Sequence, residues 1–425
     1  MLALKKSFAA AIALALPFAA MAQAPAEAKP AEAKPLVTIY GTLNVNFQYS
    51  EAVGATAAAS DVKGRYGVSV DSSNIGVRGA YDVNEYVGAV YQCETSAVVD
   101  GITPSGICNR NSRLGISGVW GTLFFGNWDT PFKAAAYGTK ADDPFLNTDV
   151  FGFNGLMSSP GFNYRSGAYS TASNTATTGF DIRAQNSVAY HSPKFNGLSA
   201  KLQYSADEFK NARGNQDPAL YGAVVNWDYG PISVLAAAEY HQDGWGLFGM
   251  NGAAGTFGST AANTQGSAAA PVSAKDIAWR VGAGYELAWP AGATTLGVLF
   301  EELDYQSTHQ PVGALKEYKR DAYQVSLKHR YGDHEFRARW NMADKGTVTL
   351  EGGGGNTADY GASELALGYA YYFAKSFQGY LSWAQITNAK NAQYTFPIGG
   401  ASAVAGATPK GADPMALGLG LRYAF

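Results

Sequence analysis

The sequence predicts an all-β fold, a 16-stranded antiparallel transmembrane β-barrel. Three observations predict it: a terminal strand with one apolar face, strands whose other face is polar, and links that alternate between short and long. In the stretch Met415 to Phe425, residues Leu417, Leu419, Leu421, Tyr423 and Phe425 share one face, and Gly418, Gly420, Arg422 and Ala424 share the other. A period of two marks a strand. A terminal Phe directed outward gains nothing in a water-soluble sheet. A strand that closes a barrel in lipid turns such a face to hydrocarbon and has its edge paired. Tyr423 and Phe425 therefore read as an assembly signal.

At the other end, Lys5 and Lys6 precede an apolar run from Phe8 to Met21, with small residues at Ala20, Ala22 and Ala24. This is the pattern of a secretory signal peptide, 1–22, cleaved after Ala22 because the next small-x-small site would place Pro25 just past the cut. Residues 23–35 carry P-A-E-A-K twice and read as a periplasmic spacer, since proline and alternating charge bury no core. A segment that touches peptidoglycan is the second reading. Residues 36–425 form the barrel. No later apolar stretch reaches the roughly 20 residues that a membrane helix needs, so strands do the crossing.

The first strand, Val37 to Tyr49, places Val37, Ile39, Leu43, Val45 and Phe47 on one face, and Thr38, Tyr40, Thr42, Asn44, Asn46 and Gln48 on the other. A soluble barrel packs its apolar face inward. Here the enclosed face is polar, which implies a water-filled lumen. In the next run, 64–80, Val68 and Val70 share a phase, but Ile75 and Val77 take the opposite one; a β-bulge near Ser72–Ser73 accounts for the change. Further runs lie near 85–95, 110–120, 122–128, 180–193, 198–207, 218–229, 231–241, 275–288, 294–304, 318–331, 335–344, 362–373 and 377–388. With the terminal strand they make sixteen, an even number as a bacterial barrel requires. Short links such as Gly230–Pro231 and Gly332–Asp333 alternate with long ones such as 129–179, 242–274 and 389–412, the periplasmic and extracellular ends of such a barrel.

Composition agrees with this reading. Fifty Gly, 26 Tyr and 21 Phe suit many short strands that face two solvents. A formal net charge of −3 argues against nucleic acid as a partner. Two cysteines in an exported chain suggest one disulfide. Cys93 ends the third strand and Cys108 precedes the fourth, bracketing the second long loop. The five histidines, His191, His241, His309, His329 and His334, show no metal-ligand spacing, and no C-x-x-C-H motif offers a haem. Gly352 to Gly355 lacks the Lys-Ser/Thr of a phosphate loop and reads as a loop tip. Trp289, Tyr331, Tyr371, Tyr372, Phe373, Phe377 and Trp383 crowd strand ends and read as interfacial girdles, with sugar contacts as an alternative. No metal site, cofactor or enzymatic constellation is expected.

Several stretches resemble Gram-negative general porins of the β-proteobacterial type: V-T-I-Y-G-T-L at 37–43, S-S-N-I-G-V-R-G at 72–79, S-R-L-G-I-S-G at 112–118, G-T-L-F-F-G-N-W at 121–128, and the closing L-R-Y-A-F. Each is short, but their order spans nearly the whole mature chain. The resemblance implies a homotrimer in the outer membrane of a Gram-negative bacterium, in contact with lipid and lipopolysaccharide, that passes small hydrophilic solutes and ions. It also implies a second loop that contacts the neighbouring subunit. Its third extracellular loop would fold into the pore, with acids on the loop and basic residues on the opposite wall.

By position, the loop from Asp129 to about Gly179 takes that place and supplies Asp142, Asp143 and Asp149. Arg113 and Arg183 match wall arginines, and Arg78 faces the lumen beside them. Asp142 and Asp143 would look across at Arg113 and Arg183. The chain departs from the family pattern at Asn74, where an arginine is usual, and at Thr42, where some members carry lysine, so the basic ladder is thinner and ion preference stays open. Arg320, Lys328, Arg337 and Arg339 also have inward phase. A substrate-specific channel is the alternative within channels. A plugged structural barrel and an outer-membrane hydrolase are alternatives outside them, the last lacking a Ser/His pair.

Overall fold

The computed structural model describes residues 37–99, 106–145, 151–152, 155–161, 179–206, 219–243, 266–267, 270–271, 273–308, 310–356, 359–396 and 408–425. The signal peptide 1–22, the spacer 23–35, Asp149 and His309 lie outside these residues.

Sixteen strands close into one antiparallel barrel. They are β1 (Thr38–Val53), β2 (Val62–Val70, continued by Asn74–Asp82), β3 (Gly88–Ser96), β4 (Ser112–Gly118), β5 (Gly121–Asp129), β6 (Arg183–His191), β7 (Leu198–Ala206) and β8 (Ala219–Tyr229). The second half comprises β9 (Ile232–Gln242), β10 (Ser273–Trp289), β11 (Gly292–Thr308), β12 (Leu315–Tyr331), β13 (His334–Ala343), β14 (Ala362–Ala374), β15 (Phe377–Asn388) and β16 (Asp413–Ala424). Each strand pairs with its neighbours in sequence, and β16 pairs with β1 from Thr42↔Ala424 to Val53↔Asp413, which removes both edges. Above the rim, Thr347–Leu350 adds a short pairing to β12 and forms a hairpin with Gly355–Asn356.

Closure extends to the last residue. The amides of Gly41 and Phe425 exchange hydrogen bonds at 3.0 and 3.1 Å. Gly41 has no room for a side chain, because a Cβ there would lie 2.6 Å from the Asn74 carbonyl oxygen and 2.7 Å from the Phe425 ring. The phase change in β2 is a bulge. β1 pairs with Val70 through Val45 and with Asn74 through Thr42, so Asp71, Ser72 and Ser73 oppose two residues. Ser72 takes a φ of 51°, and the bulge is tied down by Asp71 N–H to the Asn44 carbonyl and Asn44 N–H to Ser73 Oγ.

The two faces have opposite chemistry. Phe125 is 65% exposed and Leu419 64%, whereas Asn44, Asn46, Gln48 and Ser50 on the inner face of β1 are buried. Trp289, Tyr331, Tyr371 and Phe373 are exposed on the outer surface near strand ends, as girdle residues should be. Tyr372 is not one of them. Its phase lies between Tyr371 and Phe373, so it points inward, where its hydroxyl donates to Glu335 and its ring lies 4.0 Å from the Arg330 guanidinium. Strand lengths are uneven. β4 has 7 residues, while β10, β11 and β12 have 17 each, roughly 56 Å of chain against an apolar band of about 25 Å. Cys93 and Cys108 are joined by a disulfide, with Cα atoms 4.7 Å apart.

Candidate functional site

The link from β5 to β6 packs against the inner faces of β8 to β16. Its described residues Phe132, Phe145, Phe151, Leu156, Met157 and Phe180 share one apolar cluster with Val224, Leu235, Leu299 and Leu303 of β8, β9 and β11. Small residues make the room: Ala278, Ala322, Ala366, Ala384 and Ala416 are buried in that cluster or against it. Gly368 and Gly418 would carry a Cβ 2.7 and 3.1 Å from the rings of Phe145 and Phe151. A run of inward-phase Ala and Gly on β10 to β16 is the sequence signal that marks this docking face.

Three arginines anchor the segment. Arg280 on β10 and Arg320 on β12 flank Glu301 on β11, Arg320 at 3.0 Å, and all three are fully buried. Arg280 donates to Ser158 Oγ at 2.7 Å and lies 4.3 Å over the Phe132 ring. The Ser158 N–H donates to Glu301 at 2.6 Å, and Arg320 donates to the carbonyls of Leu156 and Ser159. On β13, Arg339 gives Nη1 to both Asp143 oxygens at 2.9 Å and to the Phe151 carbonyl, and Nη2 to Glu364 at 2.6 Å. Buried charges survive only when paired and hydrogen-bonded in this way. Sequence reading missed Arg280, Glu301 and Glu364. Arg280 and Glu301 are directly opposite in register, and both have inward phase.

Asp142 and Asp143 therefore do not act as a pair. Asp143 is held by Arg339, on a wall other than the one that carries Arg113 and Arg183. Asp142 accepts from the N–H groups of Gly138 and Asp143, and among the described residues no cation comes within ion-pair distance of it. Burial pushes its carboxyl up to about 7; those two N–H groups oppose the rise and the Asp143 charge adds to it. Nearby, Lys140 pairs with Asp228, at the inner end of β8 beside the turn at 230–231. The segment thus reaches the periplasmic end of the barrel.

The facing wall, β1 to β7, is polar and cationic. Arg183 is taken up by Asp129 at 3.0 Å and by Asn111, and Lys133 bridges Asp129 and Asp181. Arg110 pairs with Glu94, which also accepts from the Tyr40 hydroxyl. Arg78 stacks 4.4 Å over Tyr40. Arg113 stacks over Trp128 and Phe124 at 4.6 and 5.0 Å. Arg78, Gln92 and Arg113 form one cross-strand row, which puts the two arginines two strand spacings apart, about 10 Å. Among the described residues, Arg78, Arg113, Lys201, Lys328 and Arg422 have no carboxylate within 4.0 Å. Asn74, the departure from the family pattern, bonds the Ser72 carbonyl and serves the bulge.

A second link approaches the first from above. In 389–396, Ala392, Tyr394 and Phe396 are buried, Gln393 N–H donates to the Gly161 carbonyl, and Asn388 clamps Tyr394 through both side-chain atoms.

A closed barrel with a lipid-facing apolar surface, a polar inner wall and a segment packed against that wall is a bacterial outer-membrane β-barrel of the channel-forming class. The Gram-negative porin family model matches residues 9–392, and the chain belongs to that family, in the outer membrane of Gram-negative bacteria. Major outer membrane protein P.IB of Neisseria meningitidis serogroup B is 29% identical over 240 residues, covering 56% of this chain and 60% of that protein. Outer membrane porin protein 32 of Delftia acidovorans is 28% identical over 54% of this chain and 58% of its own length. The chain spans about 60% of the length of the curated relatives it matches. The anion-selective porin from Comamonas acidovorans shares the fold at a TM-score of 0.67, with 22% identity, 92% of this chain and 99% of that one. OmpT of Vibrio cholerae, solved as a trimer, shares it at 0.59, with 18% identity over 92% of this chain and 99% of that one.

Proposed function

We propose that the protein is a general diffusion porin that admits small hydrophilic solutes and ions passively, assembled as a homotrimer and favouring anions. The carrying observation is the wall opposite the packed segment, where Arg78, Arg113 and Lys201 face the lumen without acid partners among the described residues. Arginine keeps its charge at every working pH. Uncompensated charge on a narrow, low-dielectric passage raises the local concentration of ions of opposite sign. Asp142 and Glu286 oppose it, but Asp142 titrates near neutrality and Glu286 lies toward the periplasmic turn. A relative in fold bears the description anion-selective, and another was solved as a trimer, which supports both parts of the reading.

Planar-bilayer recording on protein extracted from outer membranes tests this. Open channels whose conductance rises with salt, and a reversal potential in a KCl gradient displaced toward the chloride equilibrium value, are expected. A silent protein would eliminate the channel; displacement toward potassium would eliminate the anion preference.

A further inference from the structure

Resting on the diffusion-channel reading, we propose that the lumen wall at Arg113 is a binding site for small organic anions in which a carboxylate is joined to a flat apolar body, the benzoate class. A wall that passes only hydrated ions needs no aromatic backing. This one has it: Phe124 is fully buried under the Arg113 guanidinium, Trp128 beside it is half-buried, and the His191 ring meets Phe124 edge-on at 5.0 Å and Trp128 at 6.2 Å.

The guanidinium carbon lies within 5.0 Å of both ring centroids, whose planes are 63° apart, so its charge is held in an aromatic corner. Among the described residues no carboxylate pairs with it, and its Nε–H is buried without a hydrogen-bond partner. Five nearby arginines are spoken for. Arg183 gives its donors to Asp129 and Asn111, Arg110 to Glu94, and Arg280, Arg320 and Arg339 to the packed segment. Arg78 also lies over a ring, but that ring is Tyr40, whose hydroxyl is bonded to Glu94, and a carboxylate there repels an incoming anion.

At Arg113 the balance is reversed. Lys201, the cross-strand neighbour of His191, adds a second cation without an acid partner among the described residues. A planar carboxylate matches the in-plane donor pair of a guanidinium bidentately. Once seated, its body lies along the partly open Trp128 indole, where an aromatic or flat alicyclic group gains contact that acetate or chloride cannot.

The test uses full-length protein in planar bilayers, with single-channel current in KCl recorded against added benzoate or acetate. Benzoate should block saturably, at a half-blocking concentration about fivefold below that of acetate, the scale of one aromatic contact. Trp128→Leu should bring the two anions to equal potency, and Trp128→Phe, which keeps a ring, should retain most of the gap. Heat-modifiable migration in gels verifies that each variant is a folded barrel. Equal block by the two anions in the unsubstituted protein, or an undiminished gap in Trp128→Leu, would overturn the site while leaving the channel reading standing. Absence of KCl conductance would overturn both.

Discussion

At the scale of single residues, charge state depends on what each side chain touches. Asp142 and Asp143 are adjacent, yet Asp143 is paired with Arg339, and Asp142 has no cation within ion-pair distance among the described residues. With its carboxyl pushed up to about 7, Asp142 is mostly neutral below that pH and negative above it. A negative charge beside the passage opposes anions, so anion preference should fall as pH rises from 6 to 8. Reversal potentials measured across that range should show the step in the native channel and lose it in Asp142→Asn. The two wall arginines are likewise unequal. Arg113→Ser should move the reversal potential toward cations more than Arg183→Ser does, since Arg113 has no acid partner among the described residues, whereas Arg183 is already neutralised by Asp129, which Lys133 still holds once Arg183 is gone. Arg113, Arg183 and Asp142 were all legible in the sequence as lumen candidates; that Arg339 would take Asp143 was not, because that pair joins residues 196 positions apart in the chain.

At the scale of elements, the β5–β6 link is held by buried charges rather than by its own secondary structure. Glu301 neutralises two arginines at once, and removing one member of such a buried cluster costs about 3–5 kcal/mol. Glu301→Gln should therefore loosen the segment inside a barrel that still assembles, seen as noisier and larger single-channel currents with unchanged heat-modifiable migration. Quiet currents of native size would show that the apolar cluster alone suffices. The closing strand is the opposite case, built from backbone pairing. Phe425 supplies both an amide and a carbonyl to Gly41, and its ring covers the only spot where Gly41 lacks a side chain. Deleting Phe425 should leave the protein unfolded in the periplasm; wild-type yields of heat-modifiable barrel in the outer membrane would contradict this.

At the scale of the whole molecule, the barrel is lopsided. The short strands β3 to β6 form a low wall beside the Cys93–Cys108 disulfide, and the long strands β10 to β12 rise above the membrane band. In the proposed homotrimer, this low wall is the candidate contact between subunits. The disulfide closes a loop of sequence separation 15, which contributes about 3 kcal/mol on the chain-entropy model. Cys93→Ser with Cys108→Ser should lower the temperature at which trimers dissociate in detergent gels while leaving the folded monomer band. If trimer and monomer bands are both unaffected, the bridge has no part in assembly.

Strand number, the two-faced alternation, the alternation of link lengths, the bulge and the terminal pairing were all readable in the sequence, because each is a local pattern of period two or a turn between neighbours. Tyr372 was misplaced by a single residue of phase, which in a strand means the opposite face. What only the tertiary structure decided is how the long links fold and which charges meet. The Ala and Gly floor under Phe145 and Phe151, the grip of the Arg280–Glu301–Arg320 cluster on Ser158, and the Asp143–Arg339 pair each join positions far apart in the chain. A period-two pattern says which way a side chain points; only closure of the sheet, which brings β1 against β16 and curls the inner faces toward one another, determines what it finds there.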